Sequence, residues 1–172
     1  WRDVFRPLQR MELAGEVLAG SSIEGLEELQ FATPSFADAL NEKAPNDRVY
    51  WFNATDPISP CGLNLPGISC DLPRRLPGNT LVFVSSRLAV VSERNGSVLR
   101  IHLDPPDELL SKCLQFLEHR IGARSKPLRV QSINDQPAGQ SPYCMILTEQ
   151  FETERGPNDL LLLAPSPSPS KK

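Results

Sequence analysis

The sequence predicts an α+β fold, and three observations predict it. An amphipathic helical pattern opens the chain and is followed by two short apolar runs; three strand-like runs crowd residues 80–103; and the last third alternates strand, helix and strand patterns. The 172 residues suffice for one ordinary domain or two small modules. A globular chain of this size buries roughly 70% of its unfolded surface, so it needs no metal or disulfide framework. With 17 prolines against 10 glycines, short strands and capped helices are expected rather than long elements.

Trp1, Val4, Phe5, Leu8 and Met11 recur at helical spacing, with Arg2, Arg6, Gln9 and Arg10 on the other side. Pro7 marks a bend or a start in this helix, and Gly15 marks its stop. Glu16–Leu18 then reads as a strand, Gly20-Ser21-Ser22 as a turn, Leu29–Ala32 as a second strand and Ser35–Leu40 as a short helix. A helix followed by a small hairpin is the second half of a winged helix, and residues 1–42 are assigned to it. The chain opens on Trp1 inside this pattern, without a methionine, as a fragment of something longer would.

Lys43–Arg48 is polar, contains Pro45 and reads as a linker, after which Val49–Phe52 is a short strand. From Asp56 to Gly78, prolines and glycines confine the chain to turns and sheet edges. Thr80–Val84, Arg87–Ser92 and Ser97–Leu103 are the clearest strands. Asn95-Gly96 between the last two is the dipeptide a type I′ hairpin turn needs, because both central residues take positive φ. In the third run Leu99, Ile101 and Leu103 alternate with Val98, Arg100 and His102, which turns one face to a core.

Asp104-Pro105-Pro106-Asp107-Glu108 is a helix start, with Asp104 as the cap, proline in the first turn and acids at the positive end of the dipole. Leu110, Cys113, Leu114, Leu117 and Ile121 line one face of this helix, and Gly122 is expected to end it. Leu128–Ile133 is a strand running into the turn Asn134-Asp135; a helix runs from Ser141-Pro142 to about Phe151; Asp159–Leu163 is the last strand. Residues 105–163 thus form a small closing strand-helix-strand unit, and residues 164–172, rich in proline and serine, are expected to be a disordered tail.

The formal net charge of -3 gives nucleic acid no global attraction, so any such binding must come from a local patch. Candidate patches are Arg2, Arg6 and Arg10 at helical spacing, the adjacent Arg74 and Arg75, and the cluster Arg120, Arg124, Lys126 and Arg129. Cys61, Cys70, Cys113 and Cys144 form no C-x-x-C pair, and His102 and His119 stand at no zinc-ligand spacing, so no metal site is expected. The four read as reduced thiols of a cytoplasmic protein. The Asn-x-Ser/Thr matches at Asn53 and Asn95 carry little weight without a secretory signal, and no apolar run reaches the length of a bilayer span. Asp107-Glu108 is no part of a nucleotide motor, since the chain holds no G-x-x-x-x-G-K-[ST] loop. No cofactor is expected in this segment.

Three phrases carry a family resemblance. Gln9–Gly20, QRMELAGEVLAG, resembles RRLEARGEIRGG of the large helicase-related (Lhr) family, and Gln30–Ser35, QFATPS, resembles its QFALPE. Ala54–Leu63, ATDPISPCGL, is similar to AADPLNLxGI, with Pro77-Gly78-Asn79 standing where the family has its GNRVL strand. Leu128–Pro137, LRVQSINDQP, followed by Ser141-Pro142, is similar to LRVxxINGxP and SP. The resemblance implies a winged-helix remnant over 1–42, an antiparallel β-barrel-like module over 43–104 and the closing unit. It implies an accessory C-terminal module of a 3′-to-5′ superfamily 2 DNA helicase acting in DNA repair, with ATP and magnesium bound by motor domains upstream.

On that reading Arg6, Arg10, Trp51, Arg74 and Arg75 are the candidate nucleic-acid contacts, with Tyr50 and Phe52 as further stacking candidates. The partners implied are DNA, single-stranded foremost, or an RNA:DNA hybrid, together with the upstream helicase domains and a second copy of the chain. The C-terminal part of long family members also resembles winged-helix DNA glycosylases, which implies removal of uracil from DNA as an alternative activity. That chemistry needs a carboxylate to position water or steady a sugar cation, for which Asp56 and Asp159 are the candidates. A third reading is a docking or oligomerisation module that touches no DNA. The departures from the family are Ser21-Ser22, where its wing carries an arginine and an aromatic, Ser59-Pro60, and Ser85-Ser86 in place of an Asp-Gly turn. The retained Asp56, Pro57, Gly62, Gly78 and Asn79 read first as backbone-shaping residues.

Overall fold

A computed structural model describes residues 2–22, 28–42, 45–63, 72–124 and 126–163. Trp1, Lys43, Cys70 and the tail over 164–172 lie outside the described residues. Four α-helices and eleven short strands are present among those described, so the fold is α+β. They belong to two compact units, the first built on residues up to Pro45 and the second on Asn46–Gly62 and the described residues from 72 onward.

In the first unit α1 spans Arg2–Leu13, with Pro7 inside it. Gly15 stops it at φ 76°: its N–H bonds the Glu12 carbonyl at 2.9 Å, and the N–H of Glu16 bonds the Met11 carbonyl at 2.8 Å. These paired bonds make a Schellman cap, which satisfies two carbonyls that the helix leaves open. The cap consumes residues 14–16, so β1 is Leu18–Gly20, two residues later than the expected Glu16–Leu18. It pairs antiparallel with β2, Gln30–Ala32, Leu18 standing opposite Ala32. Helix α2, Pro34–Asn41, begins behind Thr33, whose hydroxyl accepts from the Phe36 N–H at 3.3 Å while Pro34 occupies the first helical position. Phe5 meets Phe31 edge to face at 5.9 Å, which ties α1 to the hairpin.

The second unit is centred on a six-stranded sheet in the order β3-β4-β5-β6-β8-β9. Strands β3 (Val49–Asn53), β4 (Thr80–Val84), β5 (Arg87–Glu93) and β6 (Val98–Ile101) are antiparallel neighbours. Helix α3, Glu108–Arg124, then carries the chain back. The expected strand over 128–133 divides at Gln131, whose N–H bonds the Ser97 carbonyl at 2.8 Å. Its first part is β7, Leu128–Val130, and its second part is β8, Ser132–Ile133, which lies parallel to β6. Strand β9, Gln136–Pro137, returns against β8. After helix α4, Cys144–Gln150, the hairpin β10 (Glu152–Arg155) and β11 (Leu160–Leu163) builds a three-stranded sheet with β7.

No sheet among the described residues closes into a barrel, which corrects the β-barrel expectation. A barrel needs its end strands to pair with each other. Here the end strands are β3, bonded only to β4, and β9, a two-residue strand ending in Pro137, which has no N–H to donate. Sheet and core also run across residue 104, since β8 and β9 extend the sheet of β3–β6 and α3 covers it.

Two turns trade places relative to the sequence reading. Arg94, Asn95 and Gly96 all take positive φ (50°, 63° and 96°), in a four-residue connection between Glu93 and Val98 rather than a two-residue turn. The Asn95 N–H is taken by the Gly78 carbonyl at 2.8 Å, and the Arg94 N–H by Asn79 Oδ1 at 3.3 Å, so a distant loop dictates the longer form. The two-residue turn with positive φ at both positions is Asn134-Asp135, at 49° and 61°, between β8 and β9. At the start of α3 the side-chain cap is Asp107, whose carboxylate accepts the Leu109 N–H at 2.8 Å. Asp104 instead supplies the carbonyl that holds the Asp107 N–H at 3.0 Å. Gly122 lies within α3, which continues to Arg124.

The core of this unit follows from the helical period. Leu110, Cys113, Leu114, Phe116, Leu117 and Ile121 of α3 are buried against Val82, Val84, Val90, Leu99 and Ile101 of the sheet, in one cluster with Leu147, Leu160 and Leu162. On the other sheet face Ala54, Cys61, Leu81 and Val91 make a smaller cluster with Phe52, Phe83 and Leu88. Burial, with the charge of Asp107 second, pushes the Cys113 thiol up from its ordinary 9.0 to about 11. The folded chain therefore favours the neutral thiol. Its contribution to stability is complete below the ordinary thiol pKa and is lost as pH rises from about 9 to about 11. The denaturant midpoint should accordingly fall across that window, and Cys113→Ala should remove part of the fall; an identical alkaline slope in the variant would contradict this assignment.

Candidate nucleic-acid interface

The sequence-predicted contacts are distributed over both units. In the first, Arg6 and Arg10 stand one turn apart on α1, both exposed, and with Gln9, Glu12 and Leu13 they line a surface groove of about 340 Å³. The i, i+4 spacing puts their guanidinium groups on one side of the helix. Asp3 and Glu12 on the same helix offset part of that charge.

In the second unit β3 sorts three neighbouring aromatics by strand alternation. Tyr50 and Phe52 stack with Phe83, at centroid distances of 5.7 and 5.5 Å and nearly parallel planes, and the Tyr50 hydroxyl donates to the Ser85 carbonyl at 2.7 Å. Those two rings are engaged with their own sheet. Trp51 alternates away from them, is 40% exposed, and lines a cavity of about 340 Å³ with Phe52, Asn53, Thr80, Phe116, His119 and Arg120. Phe116, His119 and Arg120 are brought there by i, i+3, i+4 spacing on α3. The Arg120 guanidinium donates to Thr80 Oγ1 at 3.3 Å, to Asn95 Oδ1 at 3.3 Å and to the Gly78 carbonyl at 3.5 Å. Asn53 donates to the Pro77 carbonyl at 2.7 Å and accepts from the Thr55 N–H and hydroxyl at 2.9 and 2.7 Å. In the sequence Arg120 belongs to a basic cluster and His119 stands at no zinc-ligand spacing; the signal that joins them is the helical spacing from Phe116.

The remaining candidates serve the backbone. The Arg75 guanidinium donates to the carbonyls of Thr55 and Asp56, both at 3.3 Å, and so clamps that loop. Arg74 is exposed, and its carbonyl accepts from the buried Asn79 amide at 2.9 Å. Asp56 closes a turn: its Oδ1 accepts the Ile58 N–H at 3.1 Å and its carbonyl accepts the Ser59 N–H at 2.9 Å. Asp159 pairs with Arg129 at 3.2 Å, and its carbonyl accepts the Gly156 N–H at 3.0 Å within the β10–β11 hairpin. The two carboxylates are thus held by different partners in different turns. Among the described residues no group of three His, Cys, Asp or Glu side chains could hold a metal ion. Cys61, Cys113 and Cys144 are free and buried.

Residues 1–52 match the family model described as large helicase-related protein, winged-helix domain. That match takes in α1, both hairpin strands, α2 and most of β3, with Arg6, Arg10 and Trp51 among its residues. No curated protein matches the chain. No described helix is long and apolar enough to cross a membrane.

Proposed function

Taking as premise that the chain is related to the Lhr helicases, we propose that it is an accessory nucleic-acid-engaging module of an Lhr-type ATP-dependent DNA helicase that works in DNA repair. The observation that carries this reading is the winged-helix match over residues 1–52, in which Arg6 and Arg10 project from an exposed helix face. A helix bearing cations at successive turns follows a phosphate backbone by displacing its counterions, a term that needs no base contacts. With a net charge of -3, such binding rests on the patch and not on the whole molecule. The module holds a single strand, or an RNA:DNA hybrid, close to a motor that binds ATP and magnesium in its own domains. Ser21-Ser22 gives the wing no cation, so the helix is the electrostatic anchor of this unit.

Anisotropy titration of a labelled 15-mer of thymidylate, and of a duplex of equal length, between about 50 and 200 mM salt tests the reading. Affinity should fall with salt, and Arg6→Ala with Arg10→Ala should flatten the logarithmic slope for the single strand by about 1.4, at about 0.7 per phosphate neutralised. Absence of binding to either DNA at the low-salt end would overturn the proposal.

A further inference from the structure

We propose that the cavity between β3 and α3 receives one nucleotide unit of an unpaired strand, its base stacked on Trp51 and its phosphate against His119 and Arg120. The inference rests on the nucleic-acid reading above and adds a site that the arginines of α1 do not supply. The volume of about 340 Å³ falls in the range of small-ligand pockets. Its described lining combines an aromatic ring, a permanently charged guanidinium and an imidazole, with no carboxylate among the described residues that form it, so an anion with a flat ring system suits it. His119 is exposed, and Arg120 is held in place by Thr80, Asn95 and Gly78, so the guanidinium is fixed in the cavity wall.

The same contacts define selectivity. The Asn53 amide donates to Pro77 and accepts from Thr55, and the Thr80 hydroxyl oxygen accepts from Arg120. With these side chains engaged within the chain, stacking on Trp51 dominates and base preference is weak. Strand β3 is the outer strand of the sheet, and a base held in a duplex, paired and stacked, cannot reach Trp51 beside it without being extruded. The site therefore favours unpaired nucleotides.

The chain has two tryptophans, so Trp1→Phe leaves Trp51 as the sole tryptophan, read by selective excitation of the indole. In that background, a thymidylate 15-mer should quench the emission in step with anisotropy, whereas the equal-length duplex should quench little and thymidine monophosphate only at far higher concentration. Trp51→Ala should weaken 15-mer binding about 5- to 150-fold, the span of one stacked base, while Trp51→Phe retains most of the affinity. His119→Ala should weaken binding and leave the quench at saturation. Binding without quenching, and unaffected by Trp51→Ala, would overturn this site while the proposed function stands. Equal quenching by duplex would overturn the preference for unpaired strands. No binding to any of the three would remove both readings. Circular dichroism of each variant separates loss of binding from loss of fold, and Trp51→Phe with the quench keeps the test intact if Trp51→Ala does not fold.

Discussion

Replacing Leu117 by alanine should lower the stability of the chain by about 2–5 kcal/mol, measured as a shift of the chemical denaturation midpoint. Leu117 is 0% exposed, sits within α3, and belongs to the cluster that joins this helix to Val82, Val90 and Leu99 of the sheet. Truncation removes the transfer energy of its side chain and leaves a cavity that rigid strands on the opposite side fill poorly. Lys112→Ala, on the exposed side of the same helix, should change the midpoint by less than about 0.5 kcal/mol. Equal effects from the two would mean that α3 does not pack as described.

Asn134→Ala should cost about 2–4 kcal/mol, although the residue is exposed. Its side chain works as a piece of strand: Oδ1 accepts the Ile101 N–H at 2.7 Å and Nδ2 donates to the Ile101 carbonyl at 2.9 Å. This continues the β6–β8 ladder beyond the last paired residues, to the buried Ile101. Alanine orphans both backbone groups of Ile101 and also strains the turn, since φ at residue 134 is 49° and asparagine tolerates that value better than alanine does. Asn134→Asp keeps the acceptor and loses the donor, so its loss should be intermediate. If the alanine variant unfolds at the wild-type midpoint, the side-chain bridge is not a structural element.

The difference between these residues marks what was legible in the sequence. Leu110, Cys113, Leu114, Leu117 and Ile121 announce a buried face because a helix repeats every 3.6 residues, and Gly15 announces a stop because few other residues take its backbone angles. Such signals are local. Asp104 and Asp107 both suit a cap, and only the path of the chain into α3 selects Asp107. Asn95-Gly96 favours a tight turn until Gly78 and Asn79, far away in sequence, claim the N–H groups of Asn95 and Arg94. The break of 128–133 at Gln131 depends on Ser97, and the open sheet depends on what its outer strands meet. The candidate site divides in the same way. Trp51 stood out as an aromatic, but its separation from Tyr50 and Phe52 requires Phe83, and the inclusion of His119 requires α3 to lie beside β3.

The parallel pairing of β6 and β8 has a kinetic meaning as well. Parallel neighbours cannot be joined by a hairpin, so the chain must traverse α3 before Leu99 meets Ile133. Strands β4, β5 and β6 are joined by short connections and pay little loop-closure entropy, whereas β8 and β9 must wait for the longer loop to close. Assembly is therefore expected to proceed from the β4–β6 meander through the docking of α3 to the late addition of β8 and β9. In stopped-flow experiments Leu117→Ala should chiefly slow refolding, while Asn134→Ala should chiefly speed unfolding, because only the first of these contacts exists when the barrier is crossed.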